Sequence, residues 1–432
     1  MPLPNRQPAW WVPTLYFAEG LPYVMVNSVV GLALVQLGWS KSASVDFTTI
    51  LSVPWIIKPY WSWLVEGLGT QRRWIVAMQA ALALLLVPIA FFLPDNGYVL
   101  PLLGLLFALG LASATHDIAA DGFYIAGLSE NQQAEWSGIR NSFYRLAGIA
   151  GSGGLVWLAG RLGRARGLAP AWSAVFGVAA MVLALLAVYH WFLLPRPARV
   201  AKPAIPRRTR RERFAGLVQV WLAFLRKPGF GRILLFILLY RFAEIQVQKV
   251  NVLFFNAPGQ GGGLGLSTEE VGLLYNTLGI LALVTGGIAG GLAIARFGLR
   301  GMLWPMAATM NLPNILYVWM AWAQPHSRVL IGGVIAFEQF GYGFGFAAFM
   351  VYLLYVARGE HATAHYAICT GFMAMGVSLA SAMAAEALKL TEHLPGGGYL
   401  QFFSWVMACA LVSFAVLWKL PLEANFGSRI KN

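Results

Sequence analysis

Twelve apolar runs of roughly 18 to 26 residues divide this 432-residue chain, and runs of that length constrain its fold more than any other feature. Wound as an α-helix rising about 1.5 Å per residue, each spans the hydrocarbon of a bilayer. They fall near 11–36, 45–67, 74–94, 99–123, 137–160 and 171–194, then near 232–257, 268–293, 301–323, 329–355, 364–390 and 399–421. The rival spanning solution, a β-barrel, alternates polar and apolar residues in segments of about ten. Continuous runs twice that long argue against it. Charge argues against a water-facing surface: only 11% of residues are Asp, Glu, Lys or Arg, where soluble domains carry about 25%. The 47 glycines and 17 tryptophans suit close helix packing and interfacial anchoring. The expectation is an all-α polytopic membrane protein of twelve transmembrane helices.

The runs group as a six-helix bundle (1–194), a basic linker (195–231) and a second six-helix bundle with a short tail (232–432). Net charge is +14, and much of it lies between Arg196 and Arg232. Flanked by apolar runs, that charge reads as an anchor facing anionic lipid, not as a nucleic-acid surface. The linker carries Arg196, Arg199, Lys202, Arg207, Arg208, Arg210, Arg211 and Arg213. Arg6, Arg72, Arg73, Arg296, Arg300, Arg358, Arg429 and Lys431 fall on the same side, with Lys41, Arg328 and Lys389 scattered opposite. Arg161, Arg164 and Arg166, between the fifth and sixth spans, run against the rule, but the linker outweighs them. Both termini and the linker are therefore expected in the cytoplasm. Phe214, Leu217, Val218, Trp221 and Leu225 recur at helical spacing, which predicts a short amphipathic helix on the inner leaflet. The first run, starting near Trp10, is too long for a signal peptide and reads as a retained helix. Cys369 and Cys409 sit inside apolar runs without metal or redox spacing, and no cofactor is implied.

The halves repeat. After the eighth span comes Gly291-Leu-Ala-Ile-Ala295-Arg296-Phe297-Gly298-Leu299-Arg300, and after the second Leu64-Val65-Glu66-Gly67-Leu68-Gly69-Thr70-Gln71-Arg72-Arg73. Both resemble the loop signature of the major facilitator superfamily, with Ala295 replacing the acid in one copy and Glu66 taking its place in the other. A six-plus-six layout with related loops at equivalent positions is the internal repeat of such carriers.

An ionisable residue at membrane depth costs at least about 2.5–3.5 kcal/mol unless it is paired or faces water, so each one needs a reason. The densest group is Thr115-His116-Asp117-Ile118-Ala119-Ala120-Asp121 in the fourth span. Asp117 and Asp121, four apart, share one helical face and suit proton coupling, while His116 points about 100° away. The plainer reading has Asp121 capping or pairing with Arg140 or Arg145. In the seventh span, Arg241 and Glu244 are three apart and able to pair, with Gln248 continuing the stripe. Their functional reading is a charged lining in which Arg241 grips an anionic group by its planar fork. Lys249 reads as snorkelling. Glu19 sits beside Gly20 and Pro22, a helix-breaking pair. Lys58, Arg145 and Glu338 are further candidates within spans, and His365 opens the eleventh. No Walker loop, HExxH or Ser/His/Asp set is present, so transport by this chain draws on an ion gradient or the substrate's own gradient. A membrane acyltransferase using His116 and Asp117, and a ligand-binding sensor, are the readings from other classes.

Several segments together carry a closer likeness. They are Gly20-Leu-Pro22, Ile57-Lys58-Pro-Tyr-Trp61-Ser62, Ser113-Ala-Thr-His-Asp117-Ile-Ala-Ala-Asp121 and Tyr144-Arg145-Leu, then Tyr240-Arg-Phe-Ala-Glu244, Phe337-Glu338-Gln and Ala362-Thr363-Ala-His365-Tyr-Ala. Through nearly all its length the chain resembles the AmpG muropeptide permeases, a branch of that superfamily. AmpG-like proteins have acids matching Asp117, Asp121, Glu244 and Glu338, a Lys at Arg241, and Gln at His116 and His365. The resemblance implies a bacterial inner-membrane importer of anhydro-muropeptides, anionic glycopeptides released from the cell wall, driven by protons. On that footing Asp117, Asp121 and Glu338 are the expected coupling residues. Glu19, His116, Arg145, Arg241, Glu244 and His365 are the expected substrate residues. The chain stops after the twelfth span, where enterobacterial members have two further helices. Together with His116, His365 and Glu19, this leaves siderophores or acetyl-coenzyme A as alternative anionic substrates.

Overall fold

The computed structural model describes residues 7–40, 44, 47–48, 50–93, 99–196, 210–423 and 426–428. Arg6, Lys41, Arg199, Lys202, Arg207, Arg208, Arg429 and Lys431 lie outside them, as do the side chains of Arg210, Arg211, Arg213, Phe214 and Leu217.

Among the described residues, helix occupies all twelve predicted spans. The first is α1 (Val12–Val24), a π-helical turn (Met25–Val29) and α2 (Val30–Gln36). The second is α3 (Val53–Ile57) and α4 (Pro59–Gly67), divided at Lys58. Then come α5 (Gln71–Phe92) and α6 (Val99–Gly127). The fifth span is α7 (Glu130–Gly148), a π-helical turn (Ile149–Leu155) and α8 (Val156–Arg166), and the sixth is α9 (Leu168–Leu193). The linker holds α10 (Arg210–Leu225). The seventh span is α11 (Phe230–Leu239) and α12 (Phe242–Asn256). The eighth is α13 (Thr268–Leu273), a π-helical turn (Leu274–Gly279) and α14 (Ile280–Phe297). The ninth is α15 (Leu299–Asn311), a 3-10 turn (Leu312–Asn314) and α16 (Ile315–Ala323). Last are α17 (Arg328–Ala357), α18 (Ala362–Thr391) and α19 (Tyr399–Ala415). Seven of these stretches are long and apolar enough to cross a bilayer as unbroken helix.

The interruptions have local causes. Pro59 opens α4 and Pro313 lies in the 3-10 turn, each removing an N–H from the helical ladder. Gly148 precedes the π turn of the fifth span and Gly151, Gly153 and Gly154 lie within it, where the backbone has least reason to keep one pitch. Helix ends are capped where polar residues allow it. Ser267 Oγ accepts from Glu270 N at 3.1 Å and Glu270 Oε2 accepts from Ser267 N at 2.8 Å, the reciprocal box that starts α13.

One expectation changes. Arg161, Arg164 and Arg166, expected in a loop, continue the helix as the last turns of α8, which stops at Gly167 with φ 85°. Cations near a helix C-terminus meet its negative end favourably, and Arg161 also lies over the Trp157 ring at 5.6 Å. In the linker, Val220 and Phe224 of α10 are buried while Val218, Leu222 and Leu225 are exposed. The rings of Trp221 and Tyr60 meet with centroids 5.8 Å apart and planes tilted by 38°.

The chain divides into two compact units. The first comprises Met1–Gly127, Phe143–Leu222 and Gly359–Gly371, and the second Leu128–Ser142, Ala223–Arg358 and Phe372–Asn432. In the first, α5 packs between α6 and α9 over a core that includes Leu86, Leu106, Trp172 and Phe176. In the second, Phe254, Tyr317, Phe402, Phe403 and Val406 form the core. Its tightest helix pair is α14 with α17. Gly286 and Gly290 of α14 meet the backbone of Phe340 and Phe344, and Gly343 of α17 meets that of Leu283. Small residues at such crossings replace the hydrophobic drive that lipid cannot supply. Large apolar side chains including Leu84, Phe91, Leu185, Val329 and Leu411 point outward, as a lipid-facing surface requires.

A Cβ at Gly290 would fall 2.7 Å from Phe344 O and 2.9 Å from Ala347 Cβ. Gly290→Val should therefore lower the thermal midpoint of the purified protein in detergent by the equivalent of about 1–3 kcal/mol or more. Gly301→Ala, where nothing lies within 4 Å, should leave it unchanged. Equal midpoints for the two variants would contradict the packing account.

Candidate functional site

Each unit buries its own cluster of ionisable side chains. In the first, the break between α3 and α4 places Lys58 Nζ 3.8 Å from Asp117 Oδ2, with the two side chains 9% and 6% exposed. One helical turn along α6, Asp121 Oδ1 accepts from Tyr16 Oη of α1 at 3.2 Å. Trp61 Nε1 of α4 donates to Thr115 Oγ1 at 3.1 Å, which pins α4 to the same stretch of α6. Glu19 is buried on α1, where Gly20 allows α1 to press against α7. A Cβ at Gly20 would fall 2.6 Å from Tyr144 O and 2.9 Å from Ala147 Cβ. The phenol of Tyr144 lies in the field of Glu19, Asp117 and Asp121, and Arg145 follows it, half-buried. Helices α1, α4, α6 and α7 thus bring together three carboxyl groups, a lysine and the Tyr144 phenol.

His116 occupies a different face of α6, as its offset from Asp117 on the helical wheel requires. It is fully buried, with Nε2 2.9 Å from Gln79 Nε2 of α5. Gln79 Oε1 in turn meets His190 Nδ1 of α9 at 2.9 Å, and His190 Nε2 meets Thr14 Oγ1 of α1 at 3.0 Å. The chain from His116 to Thr14 ties four helices together through neutral donors and acceptors. His365, near the start of α18, is buried with Nε2 3.3 Å from Val220 O of α10 and its ring 5.9 Å from that of His361. Nearby, Thr363 N donates to Glu66 Oε1 at 3.3 Å, and a Cβ at Gly122 would fall 2.6 Å from the Thr363 side chain.

In the second unit the seventh span is discontinuous. Helix α11 ends at Leu239, α12 begins at Phe242, and Arg241 sits between them at φ −100°, ψ 13°. Unwound transmembrane backbone is tolerated where it serves a site. The break also corrects the expected Arg241–Glu244 pair. Because Arg241 leaves the helical register, the three-residue spacing no longer brings it over Glu244. Its Nη2 instead donates to Tyr342 Oη at 2.7 Å, and its guanidinium lies 4.5, 5.5 and 5.9 Å from the rings of Phe346, Tyr342 and Phe349. Nε of Arg241 is buried without an acceptor, and among the described residues no carboxylate pairs with this cation.

Glu244, fully buried in the first turn of α12, accepts from Gln248 Nε2 at 2.9 Å. Glu338, fully buried midway along α17, accepts at Oε2 from Tyr317 Oη and from Gln339 Nε2, both at 3.0 Å. Among the described residues no three His, Cys, Asp or Glu side chains converge as metal ligands.

The profile of the Major Facilitator Superfamily matches residues 14–385. The chain belongs to the Major Facilitator Superfamily. Among its relatives is the anhydromuropeptide permease of Escherichia coli K12, 23% identical over 373 residues, which cover 84% of this chain and 70% of that protein. A protein of Rickettsia felis bearing the name AmpG 4 is 19% identical over 95% of this chain and 96% of its own. The likeness identifies an AmpG-like branch of the superfamily. The fold is that of solved facilitators. The proton:xylose symporter XylE superposes with a TM-score of 0.62 at 18% identity over 96% of this chain and 94% of its own. For FucP the TM-score is 0.65 at 14% identity over 94% and 96%. The protein is thus a multi-pass membrane transporter.

Within this facilitator, several site neighbours carried no sequence signal of their own. Tyr16, Gln79, His190, Tyr317 and Gln339 are single polar residues in apolar spans, and only their partners across the bundle mark them out. Of these only His190, a titratable residue in the apolar sixth span, is conspicuous in the sequence.

If Lys58 and Asp117 offset each other's charge, removing either leaves the other buried and uncompensated, at a cost of about 3–5 kcal/mol. Lys58→Met and Asp117→Leu should each destabilise the protein in detergent, and the double variant should recover much of the loss. Additive losses would contradict the pairing.

Proposed function

We propose that the protein imports anhydro-muropeptides, N-acetylglucosaminyl-anhydro-N-acetylmuramyl peptides, from periplasm to cytoplasm across the bacterial inner membrane, driven by protons. The observation that carries this reading is Arg241. A guanidinium is always charged, and this one is nine-tenths buried with aromatic rings and one phenol as its neighbours. A buried cation with spare donors calls for an anionic partner that comes and goes. A muropeptide carries carboxylates for the guanidinium and sugar rings whose C–H faces suit the rings of Tyr342 and Phe346. The E. coli relative's name supports the same class of cargo.

Glu19, Arg145, Arg241 and Glu244 are the proposed substrate-facing groups. His116 and His365 hold α6 and α18 in position behind them, through Gln79 and Val220. Asp117, Asp121 and Glu338 are the proposed coupling acids. Both termini and the basic linker face the cytoplasm by the positive-inside rule, and the imported material feeds peptidoglycan recycling.

The test is uptake of labelled anhydro-muropeptide into proteoliposomes, with and without an inward proton gradient. The gradient should stimulate uptake by wild type, and Asp117→Asn should lose that stimulation. Arg241→Ala should raise KM about tenfold or more, the loss of one charge-assisted contact. An unchanged KM would remove Arg241 from the site. No uptake by folded wild type would sink the muropeptide assignment and turn the search to siderophores or coenzyme A esters.

A further inference from the structure

We propose that the segment following α19 is a strap that holds the first turns of α7 against α14, and that its release lets this end of the transporter open. Such a device serves a facilitator with rocking halves whatever its cargo.

By sequence α7 belongs to the first six-helix half. Its opening residues, Leu128–Ser142, nonetheless pack in the second unit, and the helix joins the first only from Phe143 onward. Those opening turns lie on α14 almost backbone to backbone. A Cβ at Gly138 would run into the backbone of Gly287, and one at Gly291 would fall 2.8 Å from Ala134 O and 3.2 Å from Ser137 Oγ. A carrier that exposes its site to alternate sides rocks one half against the other. Each cycle must therefore part α7 from α14 along this seam, and whatever lies over the seam governs how readily it parts.

The strap lies over it, with residues 419–423 and 426–428 described. Glu423 Oε2 accepts from Arg358 Nη1 at 2.9 Å, while Arg358 Nη2 lies 2.8 Å from Oε1 of Glu130, the residue that starts α7. One guanidinium thus joins strap and helix. The next residue, Asn131, donates through Nδ2 to Gly427 O of the strap at 2.9 Å and to Ala295 O of α14 at 3.1 Å. Gly427, at φ 81°, sits where the two helices meet. A Cβ there would fall 3.3 Å from Ala134 Cβ and 3.2 Å from Ile294 Cγ2.

Phe426 is the anchor. It is 2% exposed, and its carbonyl accepts from Leu299 N at 3.0 Å. Its ring meets that of Tyr355 edge-on at 5.0 Å, with the Arg358 guanidinium 5.2 Å away. The root of the strap is held separately: Lys419 O accepts from Arg232 Nη1 at 3.1 Å and Pro421 O from Tyr352 Oη at 3.4 Å. Release from α7 therefore leaves the strap tethered to the second half, ready to return.

The fastening is built to let go. Around the anchor, the side chains of Arg358, Glu130 and Glu423 are 40%, 46% and 64% exposed. Exposed ion pairs are weak singly and weaken further in salt. A segment held by one buried ring and a few solvent-facing bonds opens locally without unfolding what it covers.

The experiment measures how fast a cysteine in the seam is alkylated by a membrane-impermeant maleimide, in full-length protein in lipid nanodiscs without cargo. The reporter is Ser137→Cys, a near-isosteric change at a fully buried position, made together with Cys369→Ala. Cys409, buried in the core of the second unit, stays as the control for unfolding. Phe426→Ala should raise the rate at position 137 by about tenfold or more while Cys409 stays unreactive. Glu423→Gln, which removes one exposed ion pair, should raise it by about two- to fivefold. An unchanged rate at position 137 in Phe426→Ala overturns the proposal. If Phe426→Ala exposes Cys409 as well, Glu423→Gln decides: a rise at position 137 alone supports the strap, and no rise overturns it. With no cargo present, these outcomes are independent of muropeptide uptake.

Discussion

Hydrocarbon offers a buried polar atom no water, so every N–H, hydroxyl and charge in this chain must find its partner within the protein or in what the protein carries. That requirement orders the structure more strongly than any apolar contact. It puts Lys58 against Asp117 and Tyr16 against Asp121. It also strings His116, Gln79, His190 and Thr14 into one chain across four helices. Where protein partners run out, the residues left over become informative. Among the described residues Arg241 has rings and a phenol but no carboxylate. The proposed cargo is read from this shortfall.

Such partners meet only if helices approach closely and bend where needed. Glycine provides the approach: Gly20 lets α1 press against α7 beside Glu19, and Gly286, Gly290 and Gly343 bring α14 and α17 together. Irregular backbone provides the bends. The breaks at Lys58 and at Tyr240–Arg241 place a cation at the point where each span leaves regular helix. A cation in mid-helix would be fixed by the 3.6-residue period to whatever lies on its face, whereas one at a break is free of that register.

The sequence makes the fold legible almost throughout, because the signal for a spanning helix is local. A run of the right length is visible without knowing its neighbours, and helix appears in every predicted span. The exceptions are also local: Arg161, Arg164 and Arg166 look like a loop by charge but extend α8, since a helix C-terminus welcomes cations. The site is only half legible. Asp117, Arg241, Glu244 and Glu338 stand out because a charge in an apolar run is conspicuous. Their partners do not. A helical wheel gives the direction of Asp117, but nothing in one span says that Lys58 waits across the bundle or that Tyr317 and Gln339 flank Glu338. The expected Arg241–Glu244 pair fails for the same reason, since a two-residue break invalidates a rule that assumes continuous helix.

The central proposal is that an anion at Arg241 and a proton carried by the buried acids, Glu338 among them, move together. The most direct test is the external pH of lightly buffered proteoliposomes when unlabelled anhydro-muropeptide is added with no gradient imposed. The account predicts alkalinisation of the medium as protons enter with the cargo, and its loss in Glu338→Gln even though that variant still exchanges internal for external muropeptide. Entry of muropeptide with no change in external pH, or alkalinisation undiminished in Glu338→Gln, would contradict it.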